Sequence, residues 1–307
     1  MNISKSPLHI PSKKDKHFGE TSLLSKSTNY YHPRYSTIVF YTSHSFSLAL
    51  RELMYYLFYF VNMNILVCIA KVPDTTTKIS FADNNTKFNT ERVQWVINPL
   101  DEFALTRAIE LKEVLGGTIT VISVGKADTE PLIRKAFAIG ADEGIRVDAD
   151  PTDCFFTGSQ IAHYAKEGNY DFIFAGRETT DYEGAQVGGI VAELMGIPFI
   201  AGVPKFDFDG NLATLEREVE GGKEKITVKP PFLASIQEGV TEPRIPSMRG
   251  IMSARTKPLK VVPAVEAGSY VGVEHYELPP PKGACKYVEA ENAGQLIELL
   301  HKEAKAL

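Results

Sequence analysis

From Met63 onward the chain repeats one unit: a short apolar run that stops at a turn residue, then a longer segment with apolar residues at helical spacing. Ile65–Ala70, Thr118–Val124 and Asp171–Gly176 are the runs. They are short, largely apolar and partly β-branched, as strands buried on both faces of a parallel sheet are. Asn98-Pro99 opens a helix, with Asn at the N-cap, Pro at the first helical position, Asp101 and Glu102 in the electropositive first turn, and Gly116 past the end. Leu100, Ala104, Ala108, Leu111 and Leu115 line one face of it. Leu132, Ala136 and Ile139 mark a second helix, with Asp128 as expected cap and Gly140 as stop, and Phe156–Tyr164 marks a third. Strands alternating with helices of this length imply right-handed crossovers. The expected fold is therefore α/β: a doubly wound, mainly parallel, Rossmann-like sheet.

Within that frame one stretch is set apart: Ala175-Gly-Arg-Glu-Thr-Thr-Asp-Tyr-Glu-Gly-Ala-Gln-Val-Gly-Gly189. It joins the strand ending at Gly176 to a helix whose stripe is Ile190, Val191, Leu194 and Ile197, stopping at Gly196 and Pro198. A strand-to-helix turn of this kind lies at the carboxyl edge of the sheet, where open α/β folds bind ligands and free helix N–H groups favour an anion. A nucleotide phosphate is the expected ligand. Gly184, Gly188 and Gly189 would allow close backbone approach, while Asp181 and Glu183 would accept from sugar hydroxyls or cap the helix. The competing reading is an ordinary connection whose glycines only make turns.

After Pro198 the pattern changes. Leu212–Val219, Lys225–Val228 and Phe232–Ser235, separated by Gly210 and Gly221-Gly222, read as an antiparallel hairpin and neighbouring strands extending the sheet. Residues 238–260 read as a long loop of the kind that carries function. Val261–Lys286, with Pro279-Pro-Pro281, reads as an extended arm, and Glu291–Ala306 as a closing helix with Leu296, Ile297, Leu299 and Leu300. The expected division is an extension at 1–62, an α/β nucleotide-binding domain at 63–260, and an arm and helix at 261–307 packing on a partner subunit. The extension is Ser- and Lys-rich, and its clean apolar run, Leu53–Val61, is far below the ~20 residues of a membrane span. No membrane insertion is expected. A basic transit segment, a disordered tail, or sequence ahead of a start at Met63 all suit it.

A chain of 307 residues with 44% hydrophobic content has ample core, and a net charge of −5 gives no electrostatic reason to expect nucleic acid. Cys68, Cys154 and Cys285 are too scattered for a disulfide framework or a thiolate metal site, which suits a reducing compartment; Cys68 reads as a small packed strand residue. No G-x-G-x-x-G, P-loop, H-E-x-x-H, C-x-x-C or G-x-S-x-G pattern occurs. His163, His275 and His301, the histidines beyond Met63, stand alone in sequence, with no nucleophile beside them. No catalytic residue and no metal ligand is assigned. The residues point to a chain that binds and docks.

Several stretches together resemble one family, the β subunit of electron transfer flavoprotein. They are Ile65-Leu-Val-Cys-Ile-Ala-Lys-Val-Pro-Asp74, Ile97-Asn-Pro-Leu-Asp-Glu102, Ile133-Arg-Lys-Ala-Phe-Ala-Ile-Gly-Ala-Asp142, the loop from Gly176 to Gly188, Leu215-Glu-Arg-Glu-Val-Glu-Gly-Gly222, and Glu242-Pro-Arg-Ile-Pro-Ser-Met-Arg-Gly-Ile-Met252. The resemblance covers nearly all of 63–307. It implies a heterodimer with a larger α subunit that holds most of the redox FAD, while β buries an adenine nucleotide, usually AMP. The positions similar to the family's nucleotide pocket are Cys68; Asn98, Pro99, Leu100 and Asp101; Val124 and Gly125; and Gly176, Arg177, Glu178, Thr179, Thr180, Asp181, Tyr182, Glu183, Gly184, Ala185, Gln186 and Val187.

The resemblance also implies partner contacts. Glu218 falls at an acidic position that pairs with an α-subunit arginine, although a lone strand Glu is more often solvated. Val240, Glu242, Pro243 and Arg244 fall in a recognition loop whose leucine anchors on the electron-donating dehydrogenase. Val240 stands at the leucine's place, and one methylene fewer buries on the order of 1 kcal/mol less. Thr75 and Leu100 stand where known members carry aromatics near the flavin. Ala185-Gln-Val-Gly188 resembles members that hold a second FAD in β and bifurcate electrons from NADH, but Tyr182 replaces a small residue there. The implied role is an electron carrier between acyl-CoA-type dehydrogenases of fatty acid oxidation and a quinone oxidoreductase, cytoplasmic in a bacterium or in the mitochondrial matrix of a eukaryote. The alternatives are the bifurcating form and, from another class, a stand-alone ATP- or AMP-binding stress-type protein. An adenylating enzyme would want a Gly- and Ser-rich loop after the first strand, which Lys71-Val-Pro-Asp-Thr75 is not.

Overall fold

The computed structural model describes residues 62–281 and 283–306. The extension, Asn62 excepted, lies outside them. The chain enters at β1 (Met63–Cys68), makes a rim of short strands, β2 (Lys71–Pro73), β3 (Phe81–Ala82), β4 (Lys87–Phe88) and β5 (Trp95–Ile97), and passes into helix α1 (Pro99–Leu115). Then follow β6 (Gly117–Val124), α2 (Glu130–Ile139), β7 (Glu143–Asp148), α3 (Cys154–Ala165), β8 (Phe172–Gly176), α4 (Val187–Met195) and β9 (Phe199–Val203). The remainder comprises β10 (Lys205–Phe208), β11 (Ala213–Val219), β12 (Gly222–Val228), β13 (Phe232–Ile236), α5 (Met248–Ala254), β14 (Leu259–Pro263) and α6 (Ala293–Leu299).

Seven strands form the main sheet in the order β14-β7-β6-β1-β8-β13-β9, and every pairing in it is parallel. Side chains alternate along each strand. Ile65 and Val67 of β1 therefore join the core under α1 and α2, and Leu66 and Cys68 join the core under α3 and α4. From β1 the chain steps outward to β6 and β7; α3 then returns it across the opposite face to β8, on the other side of β1. The boundary between β1 and β8 is thus the point where the winding reverses.

The structure bears out the doubly wound fold and corrects it in detail. Strand β7 escapes the apolar-run reading because Arg146 sits in its middle. That guanidinium is buried, donating to Gly125 O at 2.9 Å and to Asp148 Oδ1 at 2.7 Å. The β11–β12 hairpin does not extend the parallel sheet: with β10 it makes a separate three-stranded antiparallel sheet. Phe232–Ile236 instead enters the main sheet as β13, parallel, between β8 and β9. Phe172, Phe174, Phe206 and Phe232 pack there with ring centroids 5.1–6.2 Å apart. Burying each such side chain contributes roughly 1.5–3 kcal/mol.

Two expected caps fail. Asp128 pairs with Lys71 at 2.6 Å, leaving Thr129 at the N-cap of α2, and Asn98 stands at the N-cap of α1 without a side-chain capping bond. The long loop at 238–260 holds α5, capped by Ser247 Oγ accepting Gly250 N–H at 3.0 Å, and the start of β14, which crosses the expected boundary at 260.

The arm that follows is strapped to the chain's own α3. Buried Gln160 donates to Val265 O at 2.8 Å and accepts its N–H at 2.7 Å, Tyr164 Oη donates to Pro263 O, and Asp153 Oδ2 accepts Tyr270 and Val271 N–H. Beyond Tyr276, Leu278, Tyr287, Leu296 and Ile297 are exposed.

Candidate functional site

Asp101 organises the carboxyl edge. Its position in the first turn of α1 brings a carboxylate against the ends of β1 and β8. Oδ2 accepts Ala70 N–H and Oδ1 accepts Gly176 N–H, both at 2.8 Å. The residue is only 4% exposed. Burial pushes its carboxyl up to about 7, and the hydrogen bonds from Ala70, Asn98 and Gly176 only partly oppose that. A Cβ at Gly176 would stand 2.4 Å from Oδ1, so glycine here serves the close approach of two elements.

Asn98, fully buried, ties the same helix start to the loop. Its Nδ2 donates to Glu178 O at 2.8 Å and its Oδ1 accepts Thr180 N–H at 3.3 Å. Having spent its amide on the loop, it cannot also cap α1. Pro99 is exposed and Leu100 half-buried beside it. Arg177 N–H donates to Ile236 O, and Glu183 N–H to Thr179 O, both at 2.8 Å, which folds the loop back on itself. Glu183 and Ala185 take left-handed φ values of 49° and 50°. Arg177, Thr180, Asp181, Tyr182, Glu183, Ala185 and Gln186 are exposed; Glu178, Thr179, Gly184 and Val187 are half-buried.

The first turn of α4 carries no side-chain cap. Gln186 holds the N-cap position, and the capping role expected of Asp181 or Glu183 is not realised. Its uncapped N–H groups suit an anion. Gly188 serves packing, because a Cβ there would meet Phe199 at 3.0 Å and Leu233 at 3.2 Å; the expected phosphate approach does not explain it.

The third part of the edge is the end of β6. Gly125 donates to Val147 O at 3.0 Å, accepts from Arg146, and leaves no room for a Cβ, which would stand 2.1 Å from Thr129 Oγ1. Val124 is buried beside it. The hydroxyls of Ser123 and Thr129, both buried, find no protein partner. Buried hydroxyls normally have one. Cys68 ends β1 opposite Ile122; burial, and then the charge of Asp101, push its thiol far above the ordinary range, so it packs and does not attack.

Cys68, Asn98–Asp101, Val124–Gly125 and Gly176–Val187 therefore lie along one edge, at the ends of the adjacent strands β6, β1 and β8. Two unpartnered hydroxyls and an uncapped helix start fit a ligand with polar edges and a phosphate. Among the described residues, no group of His, Cys, Asp and Glu is placed to hold a metal ion.

The expected partner-contact residues stand apart from this edge. Glu218 lies on the antiparallel hairpin, exposed, 3.8 Å from Lys223. Val240 packs half-buried against the core, Thr241 donates to Glu110, and Arg244 grips Glu113 with two bonds of 2.6 and 2.7 Å along α1. Glu242 and Pro243 are exposed. The protruding apolar residues there are Ile245, Met248 and Met252, which the sequence reading did not single out; their clustering around a short helix appears only once α5 is formed. A groove of about 430 Å³ between α1 and β10–β11, lined by Arg107, Leu111, Phe208 and Leu212, touches none of the residues on this carboxyl edge.

Residues 85–267 match the family model described as the electron transfer flavoprotein domain. The chain is 36% identical over 260 residues to the electron transfer flavoprotein subunit beta of Bacillus subtilis, covering 80% of this chain and 100% of that protein. It is 36% identical over 233 residues to the protein of the same name from Syntrophomonas wolfei, covering 75% and 92%. It is also 31% identical over 264 residues to the acryloyl-CoA reductase electron transfer subunit gamma of Anaerotignum propionicum, covering 78% and 97%.

Proposed function

The chain belongs to the electron transfer flavoprotein family, as a member of the β-subunit type, and from this we propose that it binds a larger α subunit and buries one AMP at the carboxyl edge of its sheet. The observation that carries the nucleotide reading is the tying of the ends of β1 and β8 and the loop after β8 to the start of α1 by Asn98 and Asp101. Ser123 and Thr129 would take the polar edge of the base or sugar, and the α4 start would face the phosphate. The flavin held mainly by the α subunit supplies the redox chemistry. This chain binds, orients and docks.

Its electrons would come from acyl-CoA-type dehydrogenases and leave to a quinone oxidoreductase. The name of the Anaerotignum relative, which ties that protein to a CoA-thioester reductase, supports a donor or acceptor of this class. Among the described residues no helix is long and apolar enough to cross a membrane, in keeping with a peripheral carrier in the bacterial cytoplasm or the mitochondrial matrix. The second reading, a bifurcating β subunit with its own FAD and NADH as donor, is favoured by Ala185-Gln-Val-Gly188. Against it stands Tyr182, which replaces a small residue in the same loop and would obstruct a second isoalloxazine.

The test is to co-express the chain with an α subunit, purify the complex, and count released nucleotides. One FAD and one AMP per heterodimer is the expected result. Two FAD and no AMP would establish the second reading, and a monomer that binds ATP without a partner would favour the stand-alone class.

A further inference from the structure

The crevice between β1 and β8 has two lips. One is the rim of residues 69–97 after β1, with its β3–β4 hairpin, and the other is the loop of residues 177–186 after β8. A residue from neither lip reaches both. Tyr276, in the arm, stacks on Phe81 with ring centroids 4.9 Å apart and planes 16° from parallel, and its N–H donates to Asn85 O at 2.8 Å. Its hydroxyl stands 3.5 Å from that of Tyr182.

We propose that Tyr276 is a positioning residue of the nucleotide site: the arm carries it across the mouth of the crevice, where it holds the 177–186 loop closed and slows nucleotide exchange. The inference rests on the nucleotide reading above. Three observations support it. The arm is no free tail at this point, since Gln160, Asp153 and the Phe155–Tyr270 edge contact at 4.9 Å fix it upstream and Asn85 fixes it at the rim. The loop needs an external hold, because Glu183 and Ala185 sit in the left-handed region, which costs a non-glycine residue of order 1 kcal/mol or more. The two ends of the tie are also unequal: a backbone bond and a ring stack on the rim, against a hydroxyl pair at the outer limit of hydrogen-bond reach on the loop. The contact that opens first is therefore Tyr182–Tyr276, with the arm staying in place. That hydrogen bond, with partial burial behind it, pushes the Tyr182 hydroxyl up to about 12, so it stays a donor throughout the physiological range.

The experiment uses the heterodimer of the full chain with its α subunit, loaded with radiolabelled AMP and chased with unlabelled AMP. Tyr276→Ala should release label about tenfold faster, and Tyr276→Phe and Tyr182→Phe each about threefold faster. The double phenylalanine variant should be no faster than either single one, because both remove one contact. Tyr182 is 66% exposed, and thermal midpoints should hold. Release from Tyr276→Ala at the wild-type rate overturns the proposal, as does faster release that merely tracks a lowered midpoint. Hydrogen exchange of the 177–186 amides separates this inference from the reading beneath it. A wild-type complex without AMP sinks the nucleotide reading, whereas unchanged loop exchange in Tyr276→Ala sinks the positioning role whatever is bound.

Discussion

Gly176 donates its N–H to Asp101 Oδ1 at 2.8 Å, and a Cβ added at Gly176 would stand 2.4 Å from that same oxygen and 2.9 Å from the Asp101 nitrogen. The two residues lie on different elements, and their separation is set by the absence of a side chain. Gly176→Ala forces either the helix start or the strand end to move. Overpacking of this kind costs about 1–3 kcal/mol, which for a chain of this size lowers the thermal midpoint by roughly 2–10 °C. Calorimetry of the heterodimer reads the shift, and an unchanged midpoint would show that the edge is soft.

The same carboxylate makes stability depend on pH. In the folded chain Asp101 titrates at about 7, against an ordinary value of 3.8. Between those values the folded state binds more protons than the unfolded chain, so this group's contribution falls as pH rises from about 4 to about 7 and levels off above. Asp101→Asn removes the titration. Urea denaturation from pH 5 to pH 8 should find the advantage of wild type over the variant shrinking as pH rises, and a constant difference would count against a raised carboxyl.

Asn98→Ala deletes the tie between the α1 start and the loop, leaving the Glu178 carbonyl and Thr180 N–H without their partner. The expected loss is about 1–3 kcal/mol for the buried amide's partners, with AMP affinity lowered about tenfold or more. Equilibrium dialysis of the complex measures the second effect. Wild-type affinity in this variant would remove the loop from the site.

Gln160→Leu keeps the volume of a fully buried side chain but leaves both the N–H and the C=O of Val265 unpaired. The arm should then peel from α3. Limited proteolysis should cut within residues 264–276 several times faster in the variant, while the main sheet, which makes no use of Gln160, stays intact. Equal cutting rates would mean that Asp153 and Tyr164 hold the arm without it.

Much of this was readable from the chain and some of it could not be. Asn98-Pro99 announces α1 by local chemistry alone, and the run ending at Gly176 with the stripe after Val187 announces a strand, a turn and a helix. The candidate edge follows from these, because carboxyl ends and helix starts are local facts. Strand β7 was hidden by Arg146, a charge that pattern reading assigns to water and the fold assigns to the interior. The placing of β13 was hidden for another reason: Phe232–Ile236 looks the same whether it pairs with the hairpin before it or with β8, more than fifty residues earlier, and only three-dimensional packing of the phenylalanines decides. Tyr276 was beyond reach altogether, an isolated tyrosine near a proline run with no periodicity around it. The side-chain roles of Asn98 and Asp128 went the other way, since each is expected to cap a helix and is instead drawn to a distant partner.

Inserting β13 between β8 and β9 has a bearing on how the chain is made. Residues 63–148 contain β1, β6 and β7, neighbours in space as in sequence, and can pair as soon as they emerge from the ribosome. Strand β8 cannot gain its second neighbour until residue 236 has been synthesised, so until then one flank of β8 is an open edge of apolar residues. Arg177, which closes the loop onto Ile236, waits for the same event. The carboxyl edge is thus a late product of synthesis, finished by a strand delivered after the whole antiparallel hairpin. Until that strand arrives, the unpaired flank of β8 is the kind of apolar edge through which nascent chains aggregate.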